Sequence, residues 1–290
     1  MRELSIRNIL NRVDELPEVP QTAMRAIQLL NDPDTDVGKL AEVISSDQAL
    51  TAKVLRLCNS AFYGLSRKVT TISEAVMIVG FSSVKSLVLM ITTQSTLNKG
   101  LLGYKLNAGE FWEHSIASAE ISRSLALNLK HHEPEECFIA GLIHDIGKIV
   151  LNQYALPEVY KATNLHLNTK IHLYEAENKI LGFNHAEIGA ALAERWNFPP
   201  LLVESIKRHH SFEALLENEI PALLPTLVAT ANLLAAMLRE DKKNQALVTF
   251  REHANIIHKV LGIQESHLER LLPNLQKKVE ETRQLALLVT

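Results

Sequence analysis

The sequence predicts an all-α protein made of two packed helical bundles. Three observations carry that expectation. Apolar residues recur at three- and four-residue spacing in block after block, no segment alternates apolar and polar residues as a half-buried strand would, and no Asn-Gly hairpin turn is present. The first clear block, 35–47, puts Val37, Leu40, Ala41 and Ile44 on one helical face. Asp47 is placed to cap the next helix, "QALTAKVLRLC", whose stripe is Leu50, Val54 and Leu57. Thr71 and Glu74 have capping-box spacing ahead of "AVMIV"; Gly80 suits a helix stop, and Ser82 or Ser83 can cap "VKSLVLMITTQSTL". Two glycines and an asparagine then break the pattern at about 98–108, dividing a smaller N-terminal bundle from a larger C-terminal one. Beyond that point "NAGEFWEHSIASAEISRSLALNL" and "EPEECFIAGLIHDIGKIVLNQY" each read as one helix, the second with Pro134 in its first turn. Further helices are expected at about 157–167, 171–181, 185–196, 199–210, 221–239, 251–261 and 265–287, with turns at "NDPDTD" and "NFPP".

With 290 residues, each half can bury a real core. A net charge of −3 and an isoelectric point near 6.5 exclude a general nucleic-acid binder, which needs a basic face. Cys58 and Cys137 lie far apart in apolar surroundings and read as buried free thiols in a reducing compartment. The N-terminus lacks the apolar run of a signal peptide. Residues 220–238 run 19 positions without a charge, but Pro221, Pro225, Thr226, Thr230 and Asn232 make a buried helix the better reading than a membrane span. A cytoplasmic protein with neither a nucleic-acid nor a membrane partner is expected. The last helix carries leucines at 268, 271, 272 and 275, and its simplest role is to dock on its own domain.

Chemistry concentrates in the histidines. His144 and Asp145 sit inside an apolar run, where a charged group needs partners. Glu110 and His114 are spaced i, i+4 on one helix face; His185 opens a helix behind a capping Asn184; His209 and His210 close another. Imidazoles and carboxylates converging from several helices are what a bundle uses to hold one or two metal ions. Lys148 falls one turn after His144, where a cation could meet a phosphate oxygen. Each histidine taken singly is better explained as a partly buried residue hydrogen-bonded to backbone or carboxylate. His131, His132, His166, His172, His253, His258 and His267 fit no pattern and read as surface residues.

"HDIGK" preceded by "EFWEHS" resembles the HD superfamily of metal-dependent phosphohydrolases. The set Glu110, His114, His144, Asp145, Lys148, His185, His209 and His210 is similar to that of the HD-GYP branch, which hydrolyses cyclic di-GMP. The resemblance makes Glu110, His114, His144, Asp145, His185, His209 and His210 metal ligands and Lys148 the residue that contacts substrate phosphate. Two departures stand out. The branch follows its paired histidines with an acidic residue and a Gly-Tyr-Pro motif, where this chain reads "HHSFEALLENE". Its last ligand is an aspartate on a later helix, where the best match here is the neutral Asn232. Residues 16–89, through "LPEVP", "SDQALTAKVLRLCNSAFYG" and "ISEAVMIVGFSSVKSLVL", closely resemble the HDOD family of bacterial signalling output domains, and the likeness runs from about 15 to 210. It implies an N-terminal HDOD bundle over 1–100 and an HD-like bundle over 101–290.

Members of that family generally lack a complete site and are regarded as regulatory, often fused to receiver or cyclase-related domains; this chain would be a stand-alone member. The expected function is therefore signalling through contacts with other bacterial signalling proteins, with the metal site partly retained and no cyclic di-GMP hydrolysis. The cofactor would be one or two divalent transition-metal ions, with iron, manganese and zinc not distinguished. An active metal-dependent phosphohydrolase is the alternative, and an iron centre used as a sensor a third reading. Asn59, Phe62, Tyr63 and Gly64 are expected to be architecture, with the two rings buried against the second bundle, and Arg56, Arg67 and Lys68 a solvated surface.

Overall fold

A computed structural model describes residues 5–13, 37–131, 133–169, 171–212 and 223–288. "LPEVP", the "NDPDTD" turn, His132 and the text from residue 213 to 222 lie outside the described residues. The helices are α1 (Ile6–Val13), α2 (Val37–Ser45), α3 (Gln48–Cys58), α4 (Ile72–Val79), α5 (Phe81–Leu97), α6 (Glu110–Asn128), α7 (Pro134–Ile143), α8 (Gly147–Tyr154), α9 (Leu156–Thr169), α10 (Leu173–Leu181), α11 (His185–Arg195), α12 (Pro200–Arg208), α13 (Leu223–Met237), α14 (Lys243–Glu252), α15 (Ala254–Leu261) and α16 (Leu268–Leu287). Single 3₁₀ turns stand at Leu102–Tyr104 and Glu265–His267. No strand occurs among the described residues; Leu101 and Leu106 form one isolated antiparallel bridge.

Local chemistry sets the N-terminal helices. Asp47 accepts from the Leu50 amide at 3.0 Å and opens α3. Asn59 closes α3 and pins the following loop: its Nδ2 donates to Leu55 O (2.9 Å) and Val69 O (2.8 Å), while Oδ1 accepts from Val69 N (2.7 Å). Thr71 caps α4 by accepting from Glu74 N at 3.1 Å, but Glu74 returns to Thr70 N (2.9 Å), one residue before the expected partner. Gly80, at φ 97°, both ends α4 and precedes α5. Helix α5 therefore starts at Phe81, and Ser82 and Ser83 lie in its first turn rather than capping it.

Helix α6 is the axis of the C-terminal half, with α7, α13 and α16 packed around it. Small residues let the backbones close up. A Cβ on Gly141 would stand 2.6 Å from Ser118 O, and one on Gly147 would stand 1.9 Å from His185 O. Helix α13 is buried nearly all round as expected, and no single described helix is long and apolar enough to cross a membrane. Both cysteines are buried free thiols. Helix α16 docks on α6: Thr282 donates to Glu120 at 2.8 Å, and Glu120 also pairs with Arg123. The buried apolar side chains form one continuous core from Ile9 to Ala286.

Three expectations need correction. The block 133–154 is not one helix: α7 stops at Ile143 and α8 starts at Gly147, with His144, Asp145 and Ile146 in a tight turn between them. Bonds of three-residue span, Ile146 N to Ile143 O (3.0 Å) and Lys148 N to Asp145 O (2.9 Å), tighten the chain there. A helix at Lys243–Glu252 was not predicted by spacing, because it buries only Ala246 and Phe250. Phe62 is not buried: it is 39% exposed, edge-on to Tyr63 at 5.1 Å and 5.7 Å from the Arg123 guanidinium, a surface cation–π contact.

Two substitutions test this packing by chemical denaturation. Gly147→Ala, which raises helix propensity, should nevertheless destabilise by about 2–3 kcal/mol because α8 must leave α11. Phe62→Ala should cost less than about 2 kcal/mol, below the 3–5 typical of a fully buried ring.

Candidate metal centre

The turn between α7 and α8 delivers His144 and Asp145 to the middle of the C-terminal half, 0% and 1% exposed. Lys148, in the first turn of α8, sets its Nζ 2.5 Å from Asp145 Oδ2. His185 is the first residue of α11, held there by a complete capping box. Asn184 Oδ1 accepts from Ala186 N (2.9 Å) and Glu187 N (3.1 Å), and Glu187 accepts from Asn184 N (3.0 Å). His209 and His210 follow α12, and His114 comes from the first turns of α6.

Asp145 is the hub. Its oxygens lie 3.2 Å from His185 Nε2, 3.4 Å from His209 Nε2, 3.4 Å from His144 Nε2 and 3.9 Å from His114 Nε2. His210 Nε2 stands 2.9 Å from His185 Nε2, and its ring stacks on Tyr174 with centroids 5.0 Å apart. The donor atoms fall into two groups that share the aspartate: Asp145 with His185, His209 and His210, and Asp145 with His114 and His144. Within each group the atoms lie within 4.8 Å of one another. Six of the seven sequence-predicted ligands thus come together, and Glu110 does not join them. Its Oε1 pairs with Arg239 at 3.0 Å and its Oε2 accepts from Asn107 N at 2.6 Å. Asn232, the stand-in for the expected aspartate, does reach the centre, with Oδ1 3.0 Å from His114 Nε2.

The ring nitrogens have assigned roles. His144 Nδ1 lies 2.8 Å from Gly141 O and His209 Nδ1 lies 2.6 Å from Ile206 O. A carbonyl only accepts, so each Nδ1 carries a proton and each Nε2 is the atom turned toward Asp145. Those two Nε2 atoms and Asp145 Oδ1 are buried without a hydrogen-bond partner. Leaving a buried polar atom unsatisfied costs roughly 1–3 kcal/mol, and here three are aimed at one another. Imidazole Nε2 atoms converging with a carboxylate oxygen are the donor set of a first-row transition metal. The residues present fit such an ion.

Charges in the centre are set by burial and close neighbours. Burial pushes His209 from 6.5 down to about 4. Burial, with neighbouring imidazoles, holds His114 and His210 well below the usual histidine range. Burial opposes ionisation of Asp145, but the Lys148 ammonium 2.5 Å away outweighs it and holds the carboxyl well below the usual range. Burial also opposes a charge on His185, and Glu177 outweighs it and raises that imidazole.

Sequence spacing missed several members of the site. Glu177, fully buried on α10, accepts from His185 N at 2.9 Å and lies 2.6 Å from its Nδ1. The signal was a charged residue in the stripe Leu173, Glu177, Leu181. A cavity of about 200 Å³ opens over the centre, and His166, His172 and His253 line it rather than standing on the surface. His253 stacks on Phe212 at 4.5 Å, which holds its ring in that wall. Arg239 and Lys242, from the stretch after α13, complete the cavity beside Lys148.

An all-α bundle with a buried histidine–aspartate centre at a helix break defines the class. The sequence matches the HDOD domain over residues 16–212, and the chain belongs to the HDOD family. An uncharacterised protein of Treponema pallidum (strain Nichols) is 30% identical over 233 residues, covering 78% of this chain and 43% of its own length. The chain spans less than half the length of the curated relatives it matches. An HDOD domain protein of unknown function from Geobacter sulfurreducens superposes with a TM-score of 0.73 at 27% identity, covering 96% of each chain. A protein provisionally named a phosphohydrolase, from Shewanella amazonensis, gives 0.72 at 26% identity, covering 96% of this chain and 97% of its own.

The depressed histidines make stability pH-dependent in the metal-free protein. Unfolding restores their ordinary affinity for protons, so their contribution is full above about pH 6.5 and is lost as pH falls toward the folded value near 4. His185, raised in the folded state, works in the opposite sense but is one group against three. Denaturation midpoints should fall between pH 7 and 4, with roughly 3 kcal/mol from His209 alone. A flat profile over that range would contradict the burial of these rings.

Proposed function

We propose that this chain is a regulatory HDOD protein that holds a divalent transition-metal ion and acts through contacts with other bacterial signalling proteins in the cytoplasm. The observation that carries the metal reading is the trio of buried, unpartnered atoms: His144 Nε2, Asp145 Oδ1 and His209 Nε2. His185 and His210 add nitrogen donors on one side of Asp145 and His114 on the other. Because one carboxylate serves both groups, one tightly held ion is favoured and a second would be weak. A bound ion would supply Lewis acidity toward an anionic ligand in the cavity. Lys148 keeps Asp145 ionised and presents a cation there.

The reading against catalysis rests on charge. The position opposite His114 is the neutral amide of Asn232, and Glu110 is committed to Arg239 and Asn107. The segment after His210 lacks the Gly-Tyr-Pro motif of the cyclic di-GMP hydrolases it resembles. An active phosphohydrolase is the second reading, favoured by the cluster of Lys148, Arg239 and Lys242 at the cavity and by the name of the Shewanella amazonensis relative. An iron-based sensor is the third, since histidine with carboxylate suits iron as well.

Elemental analysis of protein purified without added metal should find close to one equivalent of a transition metal. Less than about a tenth of an equivalent, with no uptake on reconstitution, would sink the proposal. His144→Ala with Asp145→Ala should abolish binding, and Asn232→Asp should tighten it or admit a second ion by adding a carboxylate beside His114.

Hydrolysis of cyclic di-GMP by the metal-loaded protein should be far below the turnover of ordinary enzymes. A rate on the order of 1 per second or more would establish the phosphohydrolase reading instead.

A further inference from the structure

We infer that Glu177 and Tyr104 are positioning residues for the metal centre: together they fix the His185 ring with Nδ1 toward Glu177 and Nε2 toward Asp145. The inference rests on the proposed metal-binding role. Glu177 is 0% exposed, and both its oxygens are committed. Oε2 accepts from the His185 backbone amide at 2.9 Å and lies 2.6 Å from Nδ1, while Oε1 accepts from the Tyr104 hydroxyl at 2.8 Å. An ionised carboxylate only accepts, so the shared proton sits on Nδ1, and Nε2 is the atom turned toward the centre, 3.2 Å from Asp145 Oδ1.

The arrangement sets His185 apart from its neighbours. His144 and His209 lean on neutral backbone carbonyls, Gly141 O and Ile206 O. His185 leans on a full negative charge, which makes an imidazole a stronger metal donor and holds its ring plane. That charge is itself braced from a third element. Tyr104 lies in the 3₁₀ turn closed by the Leu101–Leu106 bridge, and the turn is tied to α8 by Gly103 N donating to Asn152 Oδ1 at 2.8 Å. A Cβ at Gly103 would lie 2.8 Å from Val159 Cγ1, so the turn sits hard against α9.

Packing alone gives no reason for a carboxylate here. Glu177 occupies a stripe position between Leu173 and Leu181, where an apolar side chain would serve the helix as well. What the carboxylate adds is the orientation of one imidazole. Sequence offered no sign of Tyr104, whose neighbourhood reads only as a break between bundles.

The test titrates manganese(II), and separately zinc(II), into the full-length parent, Glu177→Gln and Tyr104→Phe by calorimetry. Nitrogen-15 NMR of His185 in the metal-free proteins runs alongside. Glu177→Gln can keep both bonds to His185 through its amide oxygen, with the Tyr104 bond reversed, while losing the charge. Its metal affinity should fall 10–100-fold with little change in metal-free melting temperature, and Tyr104→Phe should fall less, under about tenfold. The parent should show His185 with its Nδ1 protonated, and Glu177→Ala a mixture of Nδ1–H and Nε2–H forms. Parent-like affinity in Glu177→Gln, or an Nε2–H tautomer in the parent, overturns the inference. Should Glu177→Gln fail to fold, Tyr104→Phe and the parent tautomer decide. A parent that takes up neither metal is a failure of the proposed function, and the tautomers of parent and Glu177→Ala still decide the positioning.

Discussion

The C-terminal half is organised around one buried carboxylate. Asp145 sits where α7 gives way to α8, its charge is matched by Lys148, and ring nitrogens of His144, His185 and His209 converge on it. Each partner constrains an element. Lys148 fixes the register of α8, His185 the start of α11, His209 the end of α12, and His114 the rotation of α6. Moving any of these helices would strand the charge, so the electrostatics of one residue and the packing of several helices are the same constraint.

Glycine makes that convergence geometrically possible. Helix α8 can reach α11 only because Gly147 has no side chain to meet His185 O, and Gly189 faces it from the other helix. The backbone of α7 closes on α6 at Gly141 for the same reason. Close approach of the backbones in these two helix pairs is what brings imidazoles from separate elements within reach of one oxygen.

Much of this was legible in the sequence, and the failures have physical reasons. The caps at Asp47, Thr71 and Asn184 were readable because capping is local, set by residues two or three apart. The ligand types were readable because histidines stood at the ends and breaks of apolar stripes. The break at 144–146 was not, since the apolar pattern runs straight through it and only the demands of a buried charge interrupt the helix. Glu110 misled because i, i+4 spacing to His114 places it on the right face but says nothing of Arg239, 129 residues away in sequence. Phe62 misled because an aromatic beside a turn is apolar by type, while its exposure depends on which cation lies across the gap. Glu177 left only a charge in an apolar stripe, and Tyr104 left no sign, because their partnership spans 73 residues.

The donors of the centre are strung from residue 114 to residue 210, across five helices and the turns that join them. None of the local pieces holds enough of them to form the site. Loop-closure entropy must be met for several long-range contacts before any donor cluster exists. The centre is therefore a late product of folding, and a metal ion binding there rewards only the finished topology, not its fragments. An ion bound there would mark a fully assembled copy and distinguish it from one that is helical but wrongly packed.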